Sequence, residues 1–287
     1  MEGSSGAIFA QGKQSIKIPV PVYIRASASV VGTKEGEGPL GDLFDVVGVD
    51  DKFGCDTWEE AESALQKEAL QMAIGKAGLS REDIRFLFAG DLLGQCIASS
   101  FGLGGFGIPL VGMYGACSTC GLSLSMATIM IAGGMAQYTA CVTSSHFASA
   151  EKEFRFPLAY GNQRPLSASW TVTGSGAFVV SSSKSDSDRA LITGITIGKI
   201  MDFGLKDSMN MGACMAPAAT DTILTHLRDF RTKPEDYDKI ITGDLGYVGQ
   251  KALWDMLRDQ NMDISHVHMD CGIEIYDRSQ DAHAGGS

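Results

Sequence analysis

The order of apolar and polar positions along the chain predicts alternating helices and strands. Apolar residues recur with a helical period after Thr57, which forms a capping box with Glu60, and Gly78 marks the end of that helix. The next apolar run, "FLFAG", is continuous, as are "IPLVGMYG" and "YTACVTSS" further along. Continuous apolar strands are typical of sheets that are covered on both faces. The pattern therefore predicts an α/β fold.

The longest apolar stretch runs from a strand through a cysteine into a helix, "VGMYGACSTCGLSLSMATIMIAGGMA". Positions 92–150 contain no Asp, Glu, Lys or Arg. A membrane span would need about 20 unbroken apolar residues. The helix expected from Ser118 to about Ala136 instead carries Ser, Thr and the pair Gly133-Gly134, and "GLGGFGIP" interrupts the run before it. The stretch predicts a buried core helix and no transmembrane segment.

One arrangement of elements occurs twice. A helix, a polar turn with an acidic pair and a strand lead to Gly90-Asp91-Leu92, and the same order leads to Gly243-Asp244-Leu245. A repeated order of elements indicates a duplicated unit. We therefore expect two related α/β halves, residues 1–188 and 189–287.

Composition narrows the possible partners. The 287 residues carry a formal charge of -11, and no run of basic residues is present. Nucleic-acid binding depends on clustered Lys and Arg, so small molecules and proteins are the expected partners. The first thirty residues lack a signal peptide, and the seven cysteines are an odd number. Both features favour a reducing, cytoplasmic location.

The cysteine at the helix start resembles a known nucleophile. "YGACSTCG" is similar to the nucleophile turn of thiolases and ketoacyl-ACP synthases, and "TVTGSGAFVV" is similar to the glycine-rich strand of their first half. The resemblance implies a thiolase-like fold of two related halves, with layers α-β-α-β-α around a buried helix. It also places Cys117 at the reactive position.

A longer set of motifs resembles one branch of this fold, the stage V sporulation protein AD family. The matching strings, in chain order, are "GPLGDLFD", "FAGDLLGQ", "YGACST", "TSSH", "YGNQRP", "TVTGSGA", "MAPAATDTI", "ITGDLG", "DCGIEIY" and "HAGGS". The resemblance implies a non-catalytic protein that binds dipicolinic acid (pyridine-2,6-dicarboxylate), accompanied by calcium, for uptake into the developing spore. It further implies a homodimer that is peripherally associated with the forespore inner membrane through other stage V sporulation membrane proteins.

The alternative function is an acyltransferase of the thiolase or ketoacyl synthase type that uses Cys117. Condensing enzymes need a thiolate and two further side chains, either two His or a His and an Asn. Comparison with the synthases implies that Asp244 stands where they have a His, whereas His283 resembles the second His of thiolases. A carboxylate near a thiol opposes its ionisation. The sequence therefore favours binding over catalysis.

The expected ligand site combines a helix start with side-chain donors. Backbone amides of a helix N-terminus bind anions, and a flat dianion needs a few fixed donors in an apolar slot. Asp244 would repel a bare dianion, so it would hold calcium or be protonated. No resident metal or cofactor is expected. The predicted ligand-binding residues are Cys117, Ser118, Thr119, Ser145, His146, Asp244 and His283.

Several of these residues also have structural interpretations. Asp91 and Asp244 could cap the helices that follow them, Cys120 is expected to pack in the core, and His146 could be a hydrogen-bonded core residue. The string "HVHMDC" would place alternate side chains on one face of a strand. That row could bind zinc, but a solvated strand face is the favoured interpretation for His266, His268 and Asp270.

The chain stops at Ser287, the last residue of "HAGGS". A thiolase-like fold would continue with another helix and two strands, so we expect the second half to be truncated. An exposed apolar strand edge at "IPLVGMYG" would be covered by dimerisation through that strand.

Overall fold

The computed structural model describes residues 9–154, 163–186, 188 and 190–287. Its strands are β1 (Ala10–Gln11), β2 (Ser15–Lys17), β3 (Tyr23–Val31), β4 (Val46–Val47), β5 (Phe86–Gly90), β6 (Leu110–Gly112), β7 (Tyr138–Ser145), β8 (Gly174–Ser181), β9 (Ala190–Leu191), β10 (Gly194–Thr196), β11 (Ile240–Thr242) and β12 (His268–Asp270). Its α-helices are α1 (Thr33–Gly36), α2 (Trp58–Lys76), α3 (Ile97–Leu103), α4 (Thr119–Ala132), α5 (Phe147–Phe154), α6 (Met211–Phe230), α7 (Gly246–Arg258) and α8 (Cys271–Glu274).

A seven-stranded sheet organises the first part of the chain. Its order is β4-β3-β8-β7-β5-β6, and β9 pairs with β3 on the edge opposite β8. The β7, β5 and β6 strands are parallel, whereas β8 is antiparallel to both β3 and β7. Helix α2 packs on one face of this sheet and α4 on the other. The sheet is therefore covered on both faces, as its continuous apolar strands predict.

The predicted start and end of α2 are confirmed. The Thr57 hydroxyl accepts from the Glu60 amide at 3.2 Å, and the Glu60 carboxylate accepts from the Thr57 amide at 3.1 Å. Gly78 follows the helix with φ +67°, a conformation that glycine adopts without steric cost. Leu65 and Leu70 of α2 are fully buried against the sheet.

Helix α4 is shorter and less buried than the sequence predicts. It ends at Ala132 instead of continuing to about Ala136, because Gly133 caps it and Gly134 turns to φ +70°. Ala127 and Ile131 are buried on the sheet side, next to Phe88 of β5 and Cys141 of β7. Most of the other side chains of α4 are only partly buried. The helix is therefore a one-sided cover for the sheet in the structure.

The two segments that suggested duplication fold in the same order of elements. Helix α2 is followed by a 3-10 turn at Arg81–Asp83 and by β5, and helix α6 by a 3-10 turn at Pro234–Asp236 and by β11. Each strand pairs in parallel with the next strand, β6 or β12. The settings differ, because β5 also pairs with β7, whereas β11 pairs only with β12 among the described residues.

The expected halves interlock near residue 188. Strand β9 lies just beyond that boundary and still pairs with β3 of the large sheet. Conversely, β10 joins β1 and β2 from the start of the chain in a three-stranded antiparallel sheet. Across the described ranges, no helix is both long enough and apolar enough to cross a membrane.

Candidate functional site

Cys117 lies in a tightly fixed turn between β6 and α4. A 3-10 turn at Ala116–Ser118 leads directly into α4, and Ala116 has φ +46°, which is unusual for a residue with a side chain. The Thr119 hydroxyl donates to the Ala116 carbonyl at 2.7 Å and accepts from the Gly115 amide at 3.1 Å. These bonds hold Cys117 at the surface end of the helix.

Two of the amides at this helix start, those of Ser118 and Thr119, are engaged within the turn. The Ser118 amide donates to the Gly115 carbonyl at 2.9 Å, and the Ser118 hydroxyl donates to the same oxygen at 2.8 Å. The Thr119 amide donates to the Ala116 carbonyl. A ligand role for Ser118 and Thr119 stays a prediction, and it would require opening these bonds.

Asp244 reaches Cys117 from the other end of the chain. It follows β11 with φ +66°, a left-handed conformation that Asp tolerates better than most residues. Asp244 does not cap α7, although the sequence allowed that role. The amides of Leu245 and Gly246 donate instead to the buried carboxylate of Asp270, at 3.2 and 2.9 Å. The Asp244 carboxyl is thereby left beside the Cys117 thiol, and each group affects the pKa of the other.

The pairing of Cys117 with Asp244 sets the protonation of both groups. Cys117 is exposed as a residue, but its thiol faces protein on the Asp244 side. Burial of the thiol, followed by the neighbouring Asp244 charge, raises the pKa of Cys117 to about 12. Burial also raises the pKa of Asp244 to about 6, assisted by the charge of Asp270 and opposed by the hydrogen bond from Cys117. At neutral pH the pair is a neutral thiol beside a largely ionised carboxylate.

The first Gly-Asp-Leu motif has a structural role. Asp91 is buried, and its carboxylate accepts from the Leu93 amide at 2.9 Å, the Ser99 amide at 2.8 Å and the Ser99 hydroxyl at 2.6 Å. It therefore caps the start of α3, as the structural interpretation predicted. The two motifs share a sequence but not a function.

His146 lies in the core with both ring nitrogens engaged. Its Nδ1 accepts from the Ala148 amide at 3.1 Å, so Nε2 carries the proton and donates to the Asp51 carbonyl at 2.7 Å. The ring packs against Trp58 and Phe147, and burial lowers the pKa of His146, which keeps it neutral. These contacts match the structural interpretation, and the ligand role of His146 stays a prediction.

Ser145 and His283 have partners away from Cys117. The Ser145 hydroxyl donates to the Val172 carbonyl at 2.6 Å. His283 has φ +53°, its Nδ1 lies 2.9 Å from the Pro165 carbonyl, and its Nε2 lies 3.0 Å from the Asp281 carboxylate. In the part of the chain that the structure describes, no histidine is hydrogen-bonded to the Cys117 thiol.

The predicted solvated strand face at "HVHMDC" is wrong. His268 and Asp270 are buried, and both contact the Thr242 hydroxyl, at 2.9 and 2.7 Å. His266 lies outside β12 with a half-exposed side chain. His268 and Asp270 join the two strands of the small sheet through Thr242, and Asp270 also caps α7. Across residues 9–154, 163–186, 188 and 190–287, no group of three or more His, Cys, Asp or Glu side chains is arranged to hold a metal ion.

Sequence comparison assigns the chain to a family. Residues 12–287 match the family model for stage V sporulation protein AD (SpoVAD). The chain belongs to the SpoVAD family. It is 41% identical over 278 residues to the stage V sporulation protein AD of Bacillus subtilis (strain 168), a match that covers 96% of this chain and 81% of that protein. The chain is thus a member of a family of sporulation proteins.

Solved structures confirm the thiolase-like α/β fold. AbyA1, a tetronic acid condensing enzyme, has a TM-score of 0.57 at 15% identity, covering 89% of this chain and 87% of its own. An OleA variant of Xanthomonas campestris with cerulenin has a TM-score of 0.60 at 13% identity, covering 92% and 84%. At such low sequence identities, the likeness to these enzymes shows a shared fold and says nothing about a shared reaction.

Proposed function

We propose that this SpoVAD family member is a non-catalytic binding protein for dipicolinic acid, which it binds together with calcium during uptake into the developing spore. It acts at the forespore inner membrane as a peripheral partner of other stage V sporulation membrane proteins. Membership of a sporulation protein family supports a role in sporulation. The site beside Cys117 supports binding rather than reaction.

The observation that carries the proposal is the Asp244 carboxylate beside the Cys117 thiol. The nucleophile in condensation chemistry is the thiolate. With the pKa of Cys117 raised to about 12, roughly one thiol in 10⁵ is ionised at pH 7. A condensing enzyme needs a group that promotes thiolate formation, and Asp244 opposes it.

The same carboxylate explains why a cation would accompany the ligand. Dipicolinate is a flat dianion, and a bare dianion next to ionised Asp244 would be repelled. Calcium prefers several oxygen ligands, which two ligand carboxylates and Asp244 could provide together. The described residues offer no ready-made cluster of three metal-binding side chains, so most of the oxygens would come from the ligand and water.

The test is titration calorimetry of the full chain with dipicolinate, with and without calcium. Pyridine-3,5-dicarboxylate is the geometric control, because its two carboxylates cannot chelate one cation with the ring nitrogen. We expect specific binding of the 2,6-isomer that calcium strengthens at least tenfold. Binding should weaken in Cys117→Trp and His146→Ala, and Asp244→Asn should lose most of the calcium effect.

Equal affinity for the two isomers, or binding of neither, would contradict the proposal. A structural scaffold within a membrane-associated complex would then be the better function. A calcium effect of unchanged size in Asp244→Asn would remove the assigned role of that carboxylate.

An acyltransferase remains the second candidate, because the fold is shared with condensing enzymes and Cys117 is exposed on a turn with an unusual backbone conformation. Incubation with acyl-CoA should then leave an acyl adduct on Cys117, absent from Cys117→Ala. We expect no mass shift of the intact protein above background. An adduct that depends on Cys117 and His283 would favour the enzyme.

A further inference from the structure

A basic cluster surrounds the ring of Trp170. Lys34 Nζ lies 4.3 Å from the ring centroid and Arg164 Cζ lies 4.6 Å from it, while Phe147 stacks on the same ring at 5.5 Å. In a chain of net charge -11, two cations on one aromatic ring are a local exception. Cation–π contacts of this kind stabilise a positively charged side chain that is partly removed from water.

Arg164 has a donor left open in this cluster. Its side chain is only 9% exposed. Nη2 donates to the Asp281 carbonyl at 2.8 Å, but Nη1 is buried and has no hydrogen-bond partner among the described residues. A buried guanidinium with an open donor is costly unless something pairs with it. Its planar fork matches the two oxygens of a carboxylate.

One exposed carboxylate already lies between Arg164 and His283. Asp281 Oδ1 is 3.0 Å from His283 Nε2, and its Oδ2 is 3.5 Å from Arg164 Nη2. The Asp281 side chain is 78% exposed and sits on a residue with φ +56°. A side chain that exposed can rotate into solvent at little cost, which would take its carboxylate away from Arg164 Nη2 and His283 Nε2. Arg164 Nη2 would keep its bond to the Asp281 carbonyl.

Charges of both signs surround Lys34 and Arg164. Burial and the charge of Arg164 lower the pKa of Lys34, whereas Asp281 and Glu35 raise it. Glu35 is buried, accepts from the Tyr276 hydroxyl and the Thr173 amide, and has a pKa raised by burial. The negative charges that act on Lys34 are those of Asp281, Glu35 and Glu37.

We propose that Lys34, Arg164 and His283 form a binding site for a carboxylate group of a small ligand, and that the side chain of Asp281 occupies this site in the ligand-free chain. The site does not include Cys117 or Asp244. The inference rests on the proposed function only in the choice of dipicolinate as one of two probes.

The test exploits the surface position of Asp281. Asp281→Asn removes the internal competitor, keeps the side-chain shape and suits the left-handed backbone, so the variant should fold. Calorimetric titration uses pyridine-2-carboxylate, which has one carboxylate, and calcium-free dipicolinate. We expect Asp281→Asn to bind pyridine-2-carboxylate at least threefold more tightly than the unaltered chain, and Arg164→Gln to bind it at least tenfold more weakly.

Arg278→Gln is the matched control. Arg278 is a basic residue of the same loop, but its guanidinium lies over Tyr247, 4.4 Å from the ring centroid. Its replacement should leave both affinities unchanged. Absence of binding to both the unaltered chain and Asp281→Asn would overturn the inference, as would unchanged or weaker binding in Asp281→Asn.

The two proposals fail in different ways. If pyridine-2-carboxylate binds as described but dipicolinate with calcium does not bind, the carboxylate site stands and the proposed function falls. If dipicolinate with calcium binds and depends on Cys117 and Asp244, while Asp281→Asn and Arg164→Gln change neither affinity, the proposed function stands and the carboxylate site falls.

Discussion

At the scale of single residues, the chemistry of the site turns on what surrounds one thiol. Because burial and Asp244 raise the pKa of Cys117 to about 12, its alkylation by iodoacetamide at pH 8 should be slow. Asp244→Asn removes the negative charge but not the burial. We expect at least tenfold faster alkylation of Cys117 in that variant at pH 8, equivalent to about one pKa unit. Peptide mass spectrometry over a range of pH measures the rate.

Cys214 provides an internal reference for this measurement, since it is also exposed and lies on α6. Alkylation of Cys117 at the rate of Cys214 in the unaltered chain would contradict the pKa argument. An unchanged rate in Asp244→Asn would show that burial alone controls the thiol.

The sequence allowed the roles of some site residues to be predicted and concealed others. Asp244 could be linked to Cys117 because a family resemblance placed both in one pocket. Asp270 could not be recognised as the cap of α7, because it comes from β12 and no local spacing connects it to the amides of Leu245 and Gly246. Capping from a distant strand leaves no signal in a sequence window.

At the scale of elements, local signals were accurate where the chain itself determines the geometry. The capping box fixed the start of α2, and a continuous apolar run matched β5. The end of α4 was misjudged, because apolar residues continue past Gly133-Gly134 and the sequence does not reveal which glycine adopts a positive φ. The degree of burial of α4 also depends on what packs against it, which periodicity does not report.

One buried carboxyl on α2 should couple these elements to pH. Glu62 is fully buried and accepts from the Ser144 hydroxyl of β7 at 2.8 Å and the Ser149 hydroxyl of α5 at 2.6 Å. Burial raises the pKa of Glu62 from 4.5 to about 7 despite those bonds. The stability this group contributes is complete below about pH 4.5 and is lost as pH rises through 7, because the folded state then has to ionise a buried carboxyl.

Glu62→Gln should remove this dependence. We expect the free energy of unfolding of the variant, minus that of the unaltered chain, to increase by about 2 kcal/mol between pH 5 and pH 8, because only the unaltered chain loses stability over this range. Urea unfolding at both pH values measures it. Glu68→Gln, an exposed position on the same helix, should show no such change. A difference for Glu62→Gln that is constant with pH would exclude an ionising Glu62.

At the scale of the whole molecule, the large sheet ends in an open edge. Strand β6 pairs with β5 on one side, and no described strand pairs with its other side. Leu110 and Val111 on this edge are each 40% exposed, and Tyr114 beyond it is 53% exposed. An apolar edge with free backbone donors and acceptors invites pairing with another strand. A second copy of the chain can provide the same edge across a two-fold axis.

We therefore expect the full chain to be a homodimer at micromolar concentration in light scattering. Val111→Lys should shift it to monomer, because a charge at the centre of the paired edge would be buried without a partner. Val49→Lys is the matched control, since Val49 is 96% exposed and follows β4 at the opposite edge of the sheet. A monomeric unaltered chain, or a dimer that survives in Val111→Lys, would contradict assembly through β6. Loss of the dimer in both variants would point to a general effect of added charge rather than to this edge.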